Sequence, residues 1–319
     1  MVWLIGCNGM LGSELGRQFT QCGISWIGSD REVDITDPAA LEKFASSHES
    51  SAGTTGASAI KGKILSNISW VINCAAYTAV DKAEDDGETA RRLNEDGPRN
   101  IARAARKIGA RLIHISTDYV FDGTGRSPYT EDAEKNPACV YGLTKAAGED
   151  AVQKEMTQYY IIRTAWLYGF DGKNFVYTMA RAMSERDSVT VVADQKGTPT
   201  FAGDLASAII KIIDGSDHAH HLFGKNAALP YGVYHFTDSG ETTWFGFAQR
   251  IYALGKKYGR ITGDCEIKSC STEEYPTRAR RPAYSVLSKE KIQGALRMRI
   301  PEWDASLEKF MRSGRFSIM

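Results

Sequence analysis

The sequence predicts an α/β fold, with a doubly wound parallel sheet followed by a smaller C-terminal lobe. Short apolar runs alternate with longer amphipathic stretches through the first half of the chain, as in successive β-α-β units. Beyond residue 165 this alternation weakens, and irregular segments with scattered aromatic residues replace it. We therefore expect a first domain over residues 1–165 and a second over 166–319 that is partly interleaved with the sheet.

The elements of the first domain can be placed in chain order. Apolar runs such as Trp70 to Asn73 are typical of strands buried on both faces, and Leu11, Leu15 and Phe19 recur at helical spacing. Strands are predicted at 2–6, 25–28, 70–73, 111–116 and 160–164, and helices at 10–21, 38–46, 88–109 and 140–159. Residues 46–67, rich in Ser, Gly, Thr and Ala, are predicted to form a flexible surface insertion.

Composition excludes several classes of function. The 319 residues carry 39 basic and 39 acidic side chains, so a broad charged surface for nucleic acid or a lipid membrane is not expected. No apolar run approaches the length of a membrane span. The six cysteines form no C-x-x-C pair and the start of the chain lacks a basic signal region, which predicts reduced thiols and a cytoplasmic location. We assign no metal ligands.

A glycine-rich turn follows the first strand and opens the first helix. Gly6, Gly9 and Gly12 are spaced G-x-x-G-x-x-G and enclose Met10 and Leu11. Glycines at such a junction permit a tight turn and close approach of the backbone to a pyrophosphate, whose charge the helix N-terminus favours. The turn therefore predicts a Rossmann-type site for NADPH or NADH.

The end of the second strand carries the residues expected to choose between these cofactors. An acidic residue there binds the adenosine ribose, and a basic residue accommodates a 2′-phosphate. Asp30 and Arg31 stand side by side, so the preference for NADH or NADPH stays open. Asp34 and Ile35 are further cofactor-binding candidates, although Asp34 could instead cap the next segment.

The predicted helix after residue 140 opens with Tyr141 and Lys145, four residues apart and therefore on one helix face. A nearby ammonium favours the phenolate, so we expect Lys145 to lower the pKa of Tyr141 and suit it to acid/base chemistry. Strand four ends at Ser116 and Thr117, and ligands bind at the carboxyl ends of such strands. Thr117 is therefore expected to hydrogen-bond a substrate carbonyl, or else only to cap the following turn.

Together these motifs resemble the extended short-chain dehydrogenase/reductase superfamily and, within it, the dTDP-4-dehydrorhamnose reductases. The similar segments are N-C-A-A-Y-T-A-V-D-K-A-E at 73–84, S-T-D-Y-V-F-D-G at 116–123, Y-G-L-T-K at 141–145, R-T-A-W-L-Y-G at 163–169 and V-A-D-Q-K-G-T-P-T at 192–200, with Arg281-Pro282 beyond them. The resemblance covers nearly the whole chain. It implies reduction of the C4 ketone of dTDP-4-dehydro-6-deoxy-L-mannose to dTDP-L-rhamnose, for cell-surface polysaccharide synthesis.

The resemblance also implies roles for single residues. Tyr141 would protonate the C4 oxygen, Lys145 would hold the nicotinamide ribose, and Thr117 would polarise the ketone. Thr117 and Asp118 would contact the substrate, and Trp166 would form a wall of the sugar pocket.

Three more residues are implied on the cofactor side: Ala75, Ala76 and Tyr77 would line the ribose and pyrophosphate. A nucleotide sugar is the expected substrate, and a homodimer is left open. The resemblance departs at Met10, where the family often has a glutamine that can hydrogen-bond phosphate.

Two alternative functions follow from the same motifs. The first is another nucleotide-sugar reductase or epimerase of the superfamily; a dehydratase is disfavoured, because Thr117 is followed by Asp118 and Tyr119 rather than by an Asp-Glu pair. The second is a non-catalytic regulatory subunit that binds a dinucleotide. The intact set of threonine, tyrosine and lysine argues against that second alternative.

Overall fold

The structure is a computed structural model that describes residues 1–48, 68–217 and 229–317. The predicted insertion at 46–67 therefore lies outside the described residues from residue 49 onward. In the described ranges no helix is long and apolar enough to cross a membrane. All six cysteines are free thiols, as expected.

The chain alternates strands and helices in its first half, as predicted. The strands are β1 Val2–Ile5, β2 Trp26–Ser29, β3 Trp70–Asn73, β4 Arg111–Thr117, β5 Tyr159–Thr164, β6 Leu167–Tyr168, β7 Ser188–Val192, β8 Lys196–Gly197, β9 Thr200–Phe201, β10 Gly232–His235, β11 Thr242–Thr243 and β12 Glu266–Cys270. The helices are α1 Met10–Gln21, α2 Pro38–Ser46, α3 Val80–Ala83, α4 Gly87–Arg91, α5 Gly97–Ile108, α6 Val140–Glu155, α7 Phe175–Glu185, α8 Ala202–Asp217, α9 Trp244–Lys257, α10 Glu290–Leu296 and α11 Trp303–Arg312.

Six strands form one parallel sheet in the order β10-β5-β4-β3-β1-β2. The first crossover runs from β1 to β2, whereas β3 lies on the other side of β1. The order therefore reverses between β1 and β3, where ligands of open α/β sheets bind. The predicted doubly wound sheet is confirmed, and β10 is a sixth strand that the sequence pattern did not reveal.

Two hydrophobic clusters cover the two faces of this sheet. One packs α1, α8 and α10 against the strands, and the other packs α2, α5 and α6. A third cluster joins α7, α9 and α11 and consists of residues from Tyr168 onward. Because β10 and α8 belong to the sheet and its cover, the second half of the chain contributes to both parts. The division at residue 165 stays a prediction.

Two predicted helices have different bounds in the structure. The helix predicted over 88–109 contains a π-helical segment, Arg92–Asp96, between α4 and α5. The helix predicted to reach residue 159 ends at Glu155, because Tyr159 is already paired with Leu112 in the β4–β5 ladder.

Candidate active site

The glycine turn lies between β1 and α1, beside the point where the strand order reverses. Gly6 has a φ of +76°, and a Cβ on it would lie 2.8 Å from the backbone nitrogen of Ala75. A Cβ on Gly12 would lie 2.1 Å from the carbonyl oxygen of Gly6. Both positions therefore require glycine, and α1 begins directly against the turn. This tight turn at a helix N-terminus fits a dinucleotide pyrophosphate.

Residues after β2 are placed close to this turn. An oxygen of the Asp30 carboxylate accepts a hydrogen bond from the backbone N–H of Asn8, 3.0 Å away, and Arg31 is exposed. The Asp34 carboxylate accepts hydrogen bonds at 2.8 Å from both the N–H and the hydroxyl of Thr36, so this side chain caps a turn. Ile35 is buried in the core cluster of α2 and α5.

Ala75, Ala76 and Tyr77 follow β3 and are half-buried on the other side of the turn. Their loop is held by Asn94, whose side-chain oxygen accepts from the N–H of Tyr77 at 2.8 Å. The Asn94 amide nitrogen also lies 3.2 Å from the hydroxyl of Thr144 in α6. Asn94 belongs to the π-helical segment, a feature that frequently occurs at functional sites. Sequence periodicity could not identify this residue, because the π segment interrupts the helical repeat.

The structure brings Thr117, Tyr141 and Lys145 together at the carboxyl end of β4. Thr117 is the last residue of β4, and Tyr141 and Lys145 lie in the first turns of α6. The phenol of Tyr141 interacts with the hydroxyl of Thr117. Gly142 permits this approach, because a Cβ there would lie 2.3 Å from the carbonyl oxygen of Tyr119.

The electrostatics of the tyrosine and lysine differ from the expectation. Burial raises the pKa of Tyr141 above its usual value, although the hydrogen bond from Thr117 opposes this shift. Lys145 is 2% exposed, its Nζ donates to the carbonyl oxygen of Ile115 at 2.7 Å, and burial lowers its pKa to about 8. The expected lowering of the Tyr141 pKa is therefore wrong for this structure, since desolvation of the phenol raises the pKa and the Lys145 ammonium is bonded to Ile115.

Asp118 lies beneath the same site and is buried. Its Oδ1 is 2.9 Å from the hydroxyl oxygen of Thr117, and burial raises its pKa to about 6. The next residue, Tyr119, packs edge-on against Tyr141 with 5.4 Å between the ring centroids. The Tyr119 hydroxyl accepts from Arg281 at 3.0 Å. Arg281 was noted only for its family wording, and its contact with the site depends on tertiary structure.

Trp166, the predicted wall of the sugar pocket, lies in the segment that follows β5. Its φ is +46°, in the left-handed region that non-glycine residues rarely adopt. The indole stacks on Trp244 with 3.6 Å between the ring centroids and an angle of 11° between the rings. A Cβ on Gly197 would lie 2.6 Å from this indole and 2.8 Å from the hydroxyl of Ser285. The two stacked indoles therefore form an aromatic surface close to Ser285. Trp244 was not predicted from the sequence.

A buried ion pair fixes α6 to the sheet behind these residues. Arg163 of β5 donates to both carboxylate oxygens of Glu149 at 2.9 and 2.8 Å, and Ser116 donates to one of them at 2.6 Å. Glu149 follows Lys145 by four residues, on the same helix face as Tyr141. That spacing was visible in the sequence, but the buried partner on β5 was not.

These groups could perform one type of chemistry. A phenol and a hydroxyl converge at the carboxyl end of β4, where they could donate hydrogen bonds to one carbonyl oxygen. The glycine turn lies beside the crevice between β1 and β3 and could hold a dinucleotide next to the phenol and the hydroxyl. The arrangement therefore suits reduction of a ketone by a bound nicotinamide cofactor.

Comparison with known proteins agrees with this chemistry. A family model described as "RmlD substrate binding domain" matches residues 1–316. The chain belongs to this family. A relative named dTDP-4-dehydrorhamnose reductase from Streptomyces griseus is 38% identical over 96% of the chain and 91% of its own length.

Solved structures of family members share the fold over nearly the whole chain. A dTDP-4-dehydrorhamnose reductase from Clostridium acetobutylicum is 39% identical with a TM-score of 0.83, covering 97% of this chain and 98% of its own. The enzyme of the same name from Bacillus anthracis, solved in complex with NADP, is 34% identical with a TM-score of 0.82 and covers 97% of each chain. The α/β class and the resemblance seen in the sequence are thus confirmed.

Proposed function

We propose that the protein is an NADPH- or NADH-dependent dTDP-4-dehydrorhamnose reductase. It would reduce the C4 ketone of dTDP-4-dehydro-6-deoxy-L-mannose to the alcohol of dTDP-L-rhamnose, which supplies polysaccharide synthesis. The observation that carries this proposal is the convergence of Thr117 and Tyr141 beside the glycine turn, in a chain of this family.

The reduced nicotinamide, when bound, supplies the hydride. Tyr141 gives its phenolic proton to the C4 oxygen, and the hydroxyl of Thr117 donates a hydrogen bond to the same oxygen. Hydrogen bonds from both groups would neutralise the charge that develops on this oxygen. Lys145 would hold the nicotinamide ribose, and its ammonium would favour release of the Tyr141 proton.

Further residues bind the two ligands. The cofactor-binding set is the glycine turn with Met10 and Leu11, together with Asp30, Arg31, Asp34, Ile35, Ala75, Ala76 and Tyr77. Ile35 contributes through its backbone, since its side chain is in the core. Asp118 and Trp166 belong to the sugar side, with residues 166–319 as the mainly substrate-binding lobe.

The test is oxidation of NADPH and NADH by purified protein given dTDP-4-dehydro-6-deoxy-L-mannose, with the product identified by NMR. A uridine analogue of the substrate examines recognition of the base. Tyr231→Phe is the matched control for a Tyr141→Phe variant, since this exposed tyrosine lies outside the site. Cofactor binding without oxidation would favour the regulatory alternative instead. Oxidation only with a different 4-ketosugar nucleotide would favour another reductase of the superfamily.

Location and assembly complete the proposal. The free thiols and the soluble nucleotide-sugar substrate support a cytoplasmic location. A homodimer is testable by light scattering of the purified protein.

A further inference from the structure

The hydroxyl of Thr117 has three neighbours, namely Tyr119, Asp118 and the phenol of Tyr141, but only one proton to donate. Its oxygen accepts from the backbone N–H of Tyr119 at 3.2 Å. The same oxygen lies 2.9 Å from Oδ1 of Asp118, in the geometry of a hydrogen bond from the hydroxyl to an ionised carboxylate. A hydroxyl that donates to Asp118 cannot donate to a substrate carbonyl at the same time.

The Asp118 carboxyl decides between these two directions. When it is ionised, both of its oxygens are acceptors and Oδ1 accepts the hydrogen bond that the Thr117 hydroxyl donates. When Oδ1 carries a proton, Asp118 becomes the donor, and the Thr117 proton is free to point toward the Tyr141 side of the site. We propose that Asp118 is a positioning residue, whose own proton directs the Thr117 hydroxyl toward the substrate oxygen.

Ser285 would favour a proton on Oδ1 of Asp118 over one on Oδ2. Oδ2 of Asp118 and Oγ of Ser285 are both buried and have no hydrogen-bond partner among the described residues. The Ser285 hydroxyl faces the Asp118 carboxyl. A small rotation lets Ser285 donate to Oδ2, which keeps that oxygen an acceptor and leaves Oδ1 as the protonated atom.

The charges around Asp118 permit this titration. The titratable groups that face the Asp118 carboxyl are the phenols of Tyr119 and Tyr141. The guanidinium of Arg281 donates a hydrogen bond to the Tyr119 hydroxyl. Burial raises the pKa of Asp118 to about 6, so the carboxyl changes state near neutral pH.

The inference rests on the proposed reductase function, and its test is the pH profile of turnover. The wild-type kcat should fall about 25-fold between about pH 5.5 and about pH 7.5, as the protonated fraction of a group with a pKa near 6 falls. Asp118→Asn, whose amide donates permanently to Thr117, should give a flat profile and exceed the wild type at the higher pH.

Thr117→Val separates positioning from structure. This variant should lose most turnover, and adding Asp118→Asn to it should change nothing further, because the hydroxyl that Asp118 directs is gone. A flat wild-type profile, or additive effects in the double variant, would overturn the inference. Unchanged NADPH affinity and melting temperature show that each variant is folded.

A second measurement needs no substrate. The carboxyl carbon of Asp118 can be titrated by NMR and assigned with Asp118→Asn. Thr117→Val should raise the pKa of Asp118, because the ionised carboxylate loses its hydroxyl donor. An unchanged pKa would contradict the link between these residues, whether or not the protein turns over the proposed substrate. Absence of turnover alone would instead contradict the proposed function.

Discussion

Lys145→Met should stabilise the protein at neutral pH while removing its affinity for the cofactor. The pKa of Lys145 is lowered from 10.5 to about 8, because burial disfavours the ammonium. Keeping Lys145 protonated in the folded state therefore costs free energy of folding. This penalty is complete below the folded pKa of about 8 and disappears above the unfolded pKa of 10.5. Integrating the two titrations gives a penalty of about 3 kcal/mol at about pH 7 and about 2 kcal/mol at about pH 9.

In Lys145→Met, loss of the hydrogen bond from Lys145 to the Ile115 carbonyl offsets part of the stabilisation that comes from removing this penalty. Its loss costs about 1 kcal/mol at either pH. The net stabilisation of Lys145→Met should then be about 2 kcal/mol at about pH 7 and about 1 kcal/mol at about pH 9.

Urea unfolding at both pH values measures this difference, and Lys154→Met provides the control because Lys154 is exposed on the same helix. The control should match the wild type at each of the two pH values. NADPH titration should show weak binding for Lys145→Met and ordinary binding for the control. A Lys145→Met protein that is less stable than the wild type, or whose gain increases with pH, would refute the reasoning.

Two further changes test the turn and the buried ion pair. Gly12→Ala should abolish NADPH binding measured by fluorescence, since its Cβ would overlap the Gly6 carbonyl, whereas Gly294→Ala has open space in α10 and should stabilise the protein by about 1 kcal/mol. Glu149→Gln should lower the free energy of unfolding by about 3 to 5 kcal/mol, because it leaves Arg163 buried without a carboxylate. Normal cofactor binding in Gly12→Ala, or a loss below about 1 kcal/mol in Glu149→Gln, would contradict these expectations.

Elements whose signals are local were predictable from the sequence. The bounds of α1, α2 and β3 are those predicted, since each is marked by a local apolar pattern. Helix α2, for example, begins at Pro38 after Asp37, whose side chain accepts from the N–H of Ala39. Non-local pairing was not predictable: β10 joins β5 across about 70 residues of chain, and only tertiary packing reveals it.

The candidate site divides in the same way. Thr117, Tyr141 and Lys145 follow from motif spacing and from the rule that ligands bind at the carboxyl ends of strands. Trp244 comes from a distant segment that carries no motif, and Arg281 belongs to a segment that was noted only for its resemblance to the family. The pKa values also required the structure, because they depend on burial, which spacing alone does not specify.

The measurement that tests the central claim most directly is single-turnover oxidation of NADPH with dTDP-4-dehydro-6-deoxy-L-mannose, comparing the wild type with Tyr141→Phe. The wild type should form dTDP-L-rhamnose. Tyr141→Phe should bind NADPH with similar affinity, because the phenyl ring fills the same space, but should lose at least about 100-fold in the rate of reduction. A Tyr141→Phe protein that reduces the ketone at the wild-type rate would contradict the assignment of Tyr141 as the proton donor.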